Sequence, residues 1–251
     1  MELERKPFQG VMNIIRFNWH FYLIAGLVIT AVFIFINHIP EQIKPYIFGV
    51  VIITSLSIFA SLCFSYYIYD CSNLYQFNWF KTKHNSKILN VHAGFDETSA
   101  IIKRKFSNSS LINCDFYDPK NHTEVSIERA RKAYPQPENT IQVSTKKLPF
   151  EDEIFDDVLL TLSAHEIRKT EERIQFFKEL YRISKPSGKI FVTEHLRDFP
   201  NFLAYAIGFL HFHSKSTWLH TFTQSNLVVK SEIKTTAFIT TFILEKNENS
   251  I

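Results

Sequence analysis

Lys147-Leu-Pro-Phe-Glu-Asp-Glu-Ile-Phe-Asp-Asp-Val-Leu-Leu160 is the stretch on which the fold turns. Within and just beyond it, residues 155–162 read as a strand. Downstream, residues 170–184 repeat as an amphipathic helix with Ile174, Phe177, Leu180 and Tyr181 on one face. Pro186-Ser-Gly188 ends it, and residues 189–194 form the next strand. A strand, a helix and a second strand make a crossover, so the two strands run parallel. Upstream the alternation continues. Strands are expected at 87–92, 110–114 (ending on Asp115) and 140–144. Between them lie helices at 96–106, with Asp96 as N-cap, and at 124–134, stopped by Pro135 and Pro137. Residues 227–233 and 237–244 are near enough in sequence to pair antiparallel. The pattern predicts an α/β fold with a mostly parallel sheet, whose ligands sit at the carboxyl ends of the strands.

Before residue 81 the chain changes character. No Asp, Glu, Lys or Arg lies between Arg16 and Glu41, nor between Lys44 and Asp70. Helices over about 19–37 and 46–69 would each supply the roughly 20 apolar residues that cross a bilayer. The link from Asn37 to Pro45 is short and carries two prolines. It lacks the small-residue pattern at which a secretory signal is cut, which argues against that alternative. Trp19, Tyr66, Tyr67, Tyr69 and Trp79 stand where aromatic belts form. Arg5, Lys6 and Arg16 precede the first helix and Lys81, Lys83 and Lys87 follow the second, against Lys44 alone in the link. Both termini are therefore expected in the cytoplasm, with residues 1–80 a membrane-anchoring hairpin and 81–251 the working domain.

Composition narrows the function. Apolar residues make up 45% of the 251, and 25 residues are Phe, which excludes a disordered chain. A net charge of +3 gives no footprint for nucleic acid. Cys63, Cys71 and Cys114 follow no C-x-x-C spacing, so neither a disulfide framework nor a thiolate metal site is expected. His195, His211, His213 and His220 cluster around the apolar run 199–212 without a companion acid or thiol pattern, and read as pocket walls rather than metal ligands. That run is too short to span a bilayer. It reads as an interfacial or acceptor-capping segment, or as a core helix. No Gly-x-Ser-x-Gly elbow is present, which removes the common hydrolase reading. Tyr181 and Lys185 have the Tyr-x-x-x-Lys spacing of short-chain dehydrogenases, but sit at a helix end before Pro186 with no glycine-rich nicotinamide loop.

From about residue 87 to 246 the order of elements resembles a class I S-adenosylmethionine-dependent methyltransferase. The 147–160 stretch is similar to that family's run into its fourth strand, and residues 176–192 to the helix, turn and fifth strand that follow. The resemblance implies a Rossmann-like sheet with an antiparallel last strand, S-adenosyl-L-methionine as cofactor, and a cofactor loop after the first strand. In that loop the positions of the glycine motif hold Asn90, His92, Gly94 and Asp96, and of its glycines only Gly94 remains. Gly94, Asp96 and Thr98 are then expected at the methionine end of the cofactor and Asp115 at its ribose. Ser144 and Thr145 are expected near the adenine. Ser163, His165 and Glu166 follow the fourth strand, where the family places residues over the reacting atoms, and His165 is a candidate general base. The function expected is a membrane-anchored methyltransferase of a small lipophilic acceptor. A catalytically inactive methyltransferase fold serving as a membrane-bound binding module is the alternative, on the strength of the missing glycines.

Overall fold

A computed structural model describes residues 5–247 of the chain. It begins with α1 (Gln9–Phe17), then two apolar helices, α2 (Trp19–Phe35) and α3 (Lys44–Tyr66), and α3 runs on as a π-turn, Tyr67–Cys71. The α/β part follows as β1 (Lys87–His92), α4 (Ser99–Lys105), β2 (Ser110–Asp115), α5 (Val125–Ala133), β3 (Thr140–Gln142) and β4 (Phe155–Thr161). It continues through α6 (Thr170–Ile183), β5 (Ser184–His195), α7 (Phe199–Tyr205), α8 (Lys215–Gln224), β6 (Leu227–Thr236) and β7 (Ile239–Lys246).

The seven strands form one sheet in the order β3-β2-β1-β4-β5-β7-β6. Strands β1 to β5 pair parallel, and β7 runs antiparallel between β5 and β6. This is the Rossmann-like arrangement with an antiparallel last strand that the resemblance implies. The chain order reverses between β1 and β4, so the crevice over their carboxyl ends is the switch point where such sheets take ligands. Both central strands have apolar centres, Ile88, Leu89 and Val91 in β1 and Val158, Leu159 and Leu160 in β4, because both faces of the sheet are covered. On one face Phe176, Phe177, Leu180, Trp218 and Phe222 of α6 and α8 pack on Val158, Leu160 and Val192. On the other, Phe77, Phe80 and Ile102 pack on Ile88, Leu159 and Phe191. Each such buried side chain contributes roughly 1.5–3 kcal/mol of apolar transfer.

Local departures from the expected pattern have simple causes. The helix expected from residue 96 starts at Ser99, because Asp96 Oδ1 accepts from the N–H groups of both Thr98 and Ser99, at 2.9 Å each. Strand β3 stops at Gln142, at the sheet edge where Ile141 and Gln142 are exposed. On α6 the buried face holds Arg173, Phe176, Phe177, Leu180 and Ile183, with Ile174 and Tyr181 at its margins. The run 199–212 is split between α7 and a 3-10 turn, Ala206–His211, and leaves Phe199, Leu203, Ile207 and Leu210 exposed. It is no core helix.

Helices α2 and α3 are long and apolar enough to cross a membrane, and their apolar side chains are largely exposed. They are not a detached unit. The rings of Phe64 and Phe238 meet tilted, with centroids 4.9 Å apart, and Ile68 and Leu74 pack with Ile239. Helix α7 lies against α3. Asp70 in the π-turn accepts the N–H groups of Gly10 and Val11 at 2.7 and 2.9 Å, capping α1 from outside its own segment. From there α1 reaches α5, where the Tyr134 hydroxyl donates to Asn13 at 2.9 Å and Arg129 donates to the Phe17 carbonyl at 2.7 Å.

Candidate active site

Two polar groups occupy the crevice at the switch point. The first surrounds the loop after β1. Gly94 has φ +86°, a backbone conformation that favours glycine, and the Arg131 side chain lies against the space a Cβ would take. His92 Nδ1 accepts from the Gly94 N–H at 3.2 Å, which places its proton on Nε2, a buried atom without a partner. Burial pushes the His92 pKa down. Asn90 Oδ1 accepts from Thr98 Oγ1 at 3.1 Å, tying strand to loop beneath the site. Asp96 spends Oδ1 on the helix start, while its Oδ2 is buried and unpartnered. Asp115, fully buried at the tip of β2, accepts from the Tyr117 N–H at 2.8 Å and pairs with Arg131 of α5. Gln136 donates to the Gly94 carbonyl at 2.6 Å and keeps a buried, unpartnered Oε1.

The second group follows β4 and β5. Ser163 Oγ donates to the Val91 carbonyl at 3.0 Å, stitching β4 to β1. His165 and Glu166 lie on the turn Ala164–Glu166, Glu194 on β5 and His211 on the turn after α7. His165 Nδ1 lies 2.6 Å from Glu194 Oε2, and its Nε2 lies 3.2 Å from Glu166 Oε1. Burial acts to lower the His165 pKa, but Glu194 and Glu166 together hold it up at about 10. Burial acts to raise Glu166, and its bonds to His165 and His211 prevail and hold it well below the carboxylate range. Glu166 Oε2 is buried without a partner. Behind this group His195 Nδ1 meets Asn201 Oδ1 at 2.9 Å and so carries the proton, leaving Nε2 to accept from the Tyr69 hydroxyl at 2.8 Å. Burial pushes His195 to about 3.

The structure thus brings together Asn90, His92, Gly94, Asp96, Thr98 and Asp115 around one loop, and Ser163, His165 and Glu166 beside it. Ser144 is exposed, and Thr145 is buried with its hydroxyl donating to Glu172 at 2.7 Å. His213 turns away to Arg173 at 3.2 Å, and His220 is exposed on α8. Sequence reasoning missed Arg131, Gln136, Glu194, Tyr69 and Arg168. Glu194 carried a readable signal, because it ends a strand at the ligand-binding edge. Arg168 follows Glu166 by two residues, while Arg131, Gln136 and Tyr69 reach the site from elements whose packing no local pattern specifies.

A sulfonium nucleoside needs a carboxylate for its ribose hydroxyls and polar partners for its amino-acid end. Asp115 would supply the first, and the unspent Asp96 Oδ2 and His92 Nε2–H would supply the second. The donor set fits, provided that Arg131, whose side chain is 28% exposed, swings off Asp115.

Residues 95–192 match the family model described as a methyltransferase domain. The chain is 29% identical over 108 residues to a demethylmenaquinone methyltransferase of Streptomyces avermitilis, covering 43% of this chain and 42% of that one. It is 30% identical over 112 residues to the ubiquinone/menaquinone biosynthesis C-methyltransferase UbiE of Geotalea daltonii, covering 44% and 46%. The match spans less than half the length of either curated relative. A solved protein from Pyrococcus horikoshii OT3 superposes with a TM-score of 0.50 at 19% identity, covering 68% of this chain and 85% of that one, a likeness of fold.

Proposed function

We propose that the chain is an S-adenosylmethionine-dependent methyltransferase held at a membrane by α2 and α3, acting on a small lipophilic acceptor. The observation that carries the reading is the continuity between apolar helix and site: α3 runs through its π-turn to Tyr69, whose hydroxyl bonds His195 at 2.8 Å behind the acceptor group. The exposed apolar residues of α7 and the following turn lie beside α3, where a bilayer-dissolved acceptor would approach. The methyltransferase match supports the reaction class, and the quinone methyltransferase relatives support an apolar acceptor. The Lys and Arg asymmetry around the hairpin supports cytoplasmic termini.

When bound, the cofactor supplies an electrophilic methyl group. Asp115 would accept from the ribose hydroxyls, and Asp96 and His92 would hold the amino-acid end. His165 lies between Glu194 at Nδ1 and Glu166 at Nε2 and so orients Glu166 rather than facing the acceptor's proton itself. We assign acceptance of the substrate's hydroxyl hydrogen to Glu166 Oε2, held in place through Oε1 by His165. The catalytically silent alternative draws on Arg131, which occupies the ribose acid. Calorimetric titration of the full chain in detergent with S-adenosylmethionine separates the two. Micromolar binding with methyl transfer to a reduced quinone in vesicles is expected, and binding without transfer to any lipophilic acceptor would favour the silent fold.

A further inference from the structure

His165, Glu166 and His211 bring three metal-ligating atoms within 4.8 Å of one another. Glu166 Oε1 lies 3.2 Å from His165 Nε2 and 3.8 Å from His211 Nε2. Ligand atoms around a tetrahedral zinc ion stand about 3.3 Å apart, given bonds of about 2.0–2.1 Å. His165 carries a carboxylate on the opposite nitrogen, Glu194 at 2.6 Å from Nδ1, whereas His211 Nδ1 is met by Arg168 Nη2 with Glu124 beyond it at 3.4 Å. That carboxylate–histidine pairing is how metal-binding imidazoles are usually oriented. Glu166 is 3% exposed and its Oε2 has no partner, and neither Glu166 nor Glu194 meets a lysine or arginine. A divalent cation between the imidazoles would balance both buried carboxylates.

We infer that His165, Glu166 and His211 bind a divalent transition-metal ion, with zinc the best match to two imidazoles and one carboxylate. Three protein ligands leave a fourth position open, the arrangement of catalytic rather than structural zinc. The site stands independently of methyl transfer. Its use, to hold the oxygen of an acceptor at the open position, rests on the reading above. Arg168 is the competitor, since its Nη2 lies 2.9 Å from His211 Nε2 and must shift toward Glu124, 3.4 Å away.

Zinc chloride is titrated into the chelator-treated full chain in detergent, with stoichiometry read by calorimetry. One ion per chain at micromolar affinity or tighter is expected. His165→Ala and His211→Ala should each weaken it at least about 100-fold, and Glu194→Gln about 10–100-fold, as orienting carboxylates do. Arg168→Met should tighten it. Melting curves accompany each variant, and Glu166→Gln, which preserves side-chain volume, must also lose the ion. No binding, or binding unchanged in the histidine variants because exposed histidines such as His220 hold the zinc, overturns the inference. Affinity for S-adenosylmethionine, measured separately on His211→Ala, should not move, so a failed metal site and a failed methyltransferase reading register in different titrations.

Discussion

Arg131→Met tests whether the cofactor must evict a residue of the protein itself. In the structure the guanidinium pairs with Asp115 and fills the space beside Gly94. Methionine keeps an apolar stem near Tyr117 and removes the charge. A hydrogen bond to a charged group contributes about 1.5–3 kcal/mol net. With the Arg131 side chain 28% exposed, solvent screens the pair, and the lower end applies. Relief of about 1.5 kcal/mol corresponds to roughly tenfold tighter S-adenosylmethionine. The free protein should melt lower, because Asp115 is fully buried and loses its counter-charge. Affinity and melting temperature therefore move in opposite directions, and the upward shift of melting temperature on adding cofactor grows. Asp115→Ala is the control and should bind about tenfold more weakly, the scale of one charge-assisted bond to a ribose. Weaker binding by Arg131→Met would refute the reasoning, since the guanidinium would then be a contact in the complex rather than an occupant of its place.

Other outcomes follow from the same geometry. Phe202→Ser with Phe209→Ser should raise KM for a lipophilic acceptor at unchanged cofactor affinity and near-normal melting temperature, since Phe202 is 44% exposed; an unfolded variant or unchanged kinetics would defeat the access role of α7. Tyr69→Phe leaves the His195 Nε2 without its donor and should lower stability by about 1 kcal/mol in a chemical melt; no change would mean that this bond does not couple the π-turn to β5. His195 and His213 are both held neutral, at about 3. The unfolded chain binds their protons first, near pH 6.5, so stability falls as pH drops from about 6.5 toward 3, by up to about 1.4 kcal/mol per pH unit for each. His195→Gln should remove about half of that slope, and an unaltered slope would show that His195 is not buried neutral.

Much of the fold was legible because strands covered on both faces are written as short apolar runs. β1 has the bounds read from its residues, and β4 differs from its expected run only at its last residue. Missing charge marked the apolar helices, expected over about 19–37 and 46–69, where α2 spans Trp19–Phe35 and α3 Lys44–Tyr66. What local pattern does not encode is which distant side chain arrives at a buried charge. Asp115 was visible at a strand tip, but Arg131 comes from α5, whose orientation depends on α1 packing against it. The pairing of His165 with Glu194 depends on the parallel register of β4 and β5, and the arrival of His211 depends on the turn after α7. The break in composition near residue 80 does not coincide with a break in packing, which already begins at Phe64 and Ile68.

The clasp of Asp70 on the first turn of α1 bears on how the sheet would stand above a bilayer. A domain hung on a flexible linker swivels, and its mouth samples every direction. Here the helix before the hairpin and the π-turn after it are bolted to each other, and α1 is bolted in turn to α5 beside the cofactor loop. With α2 and α3 in lipid, as proposed, the crevice would be held at one height and one heading over the surface. Such a mount works as a depth gauge: among apolar molecules of similar chemistry, it selects those whose reactive carbon or oxygen rides at that height, and passes over those that lie deeper among the chains.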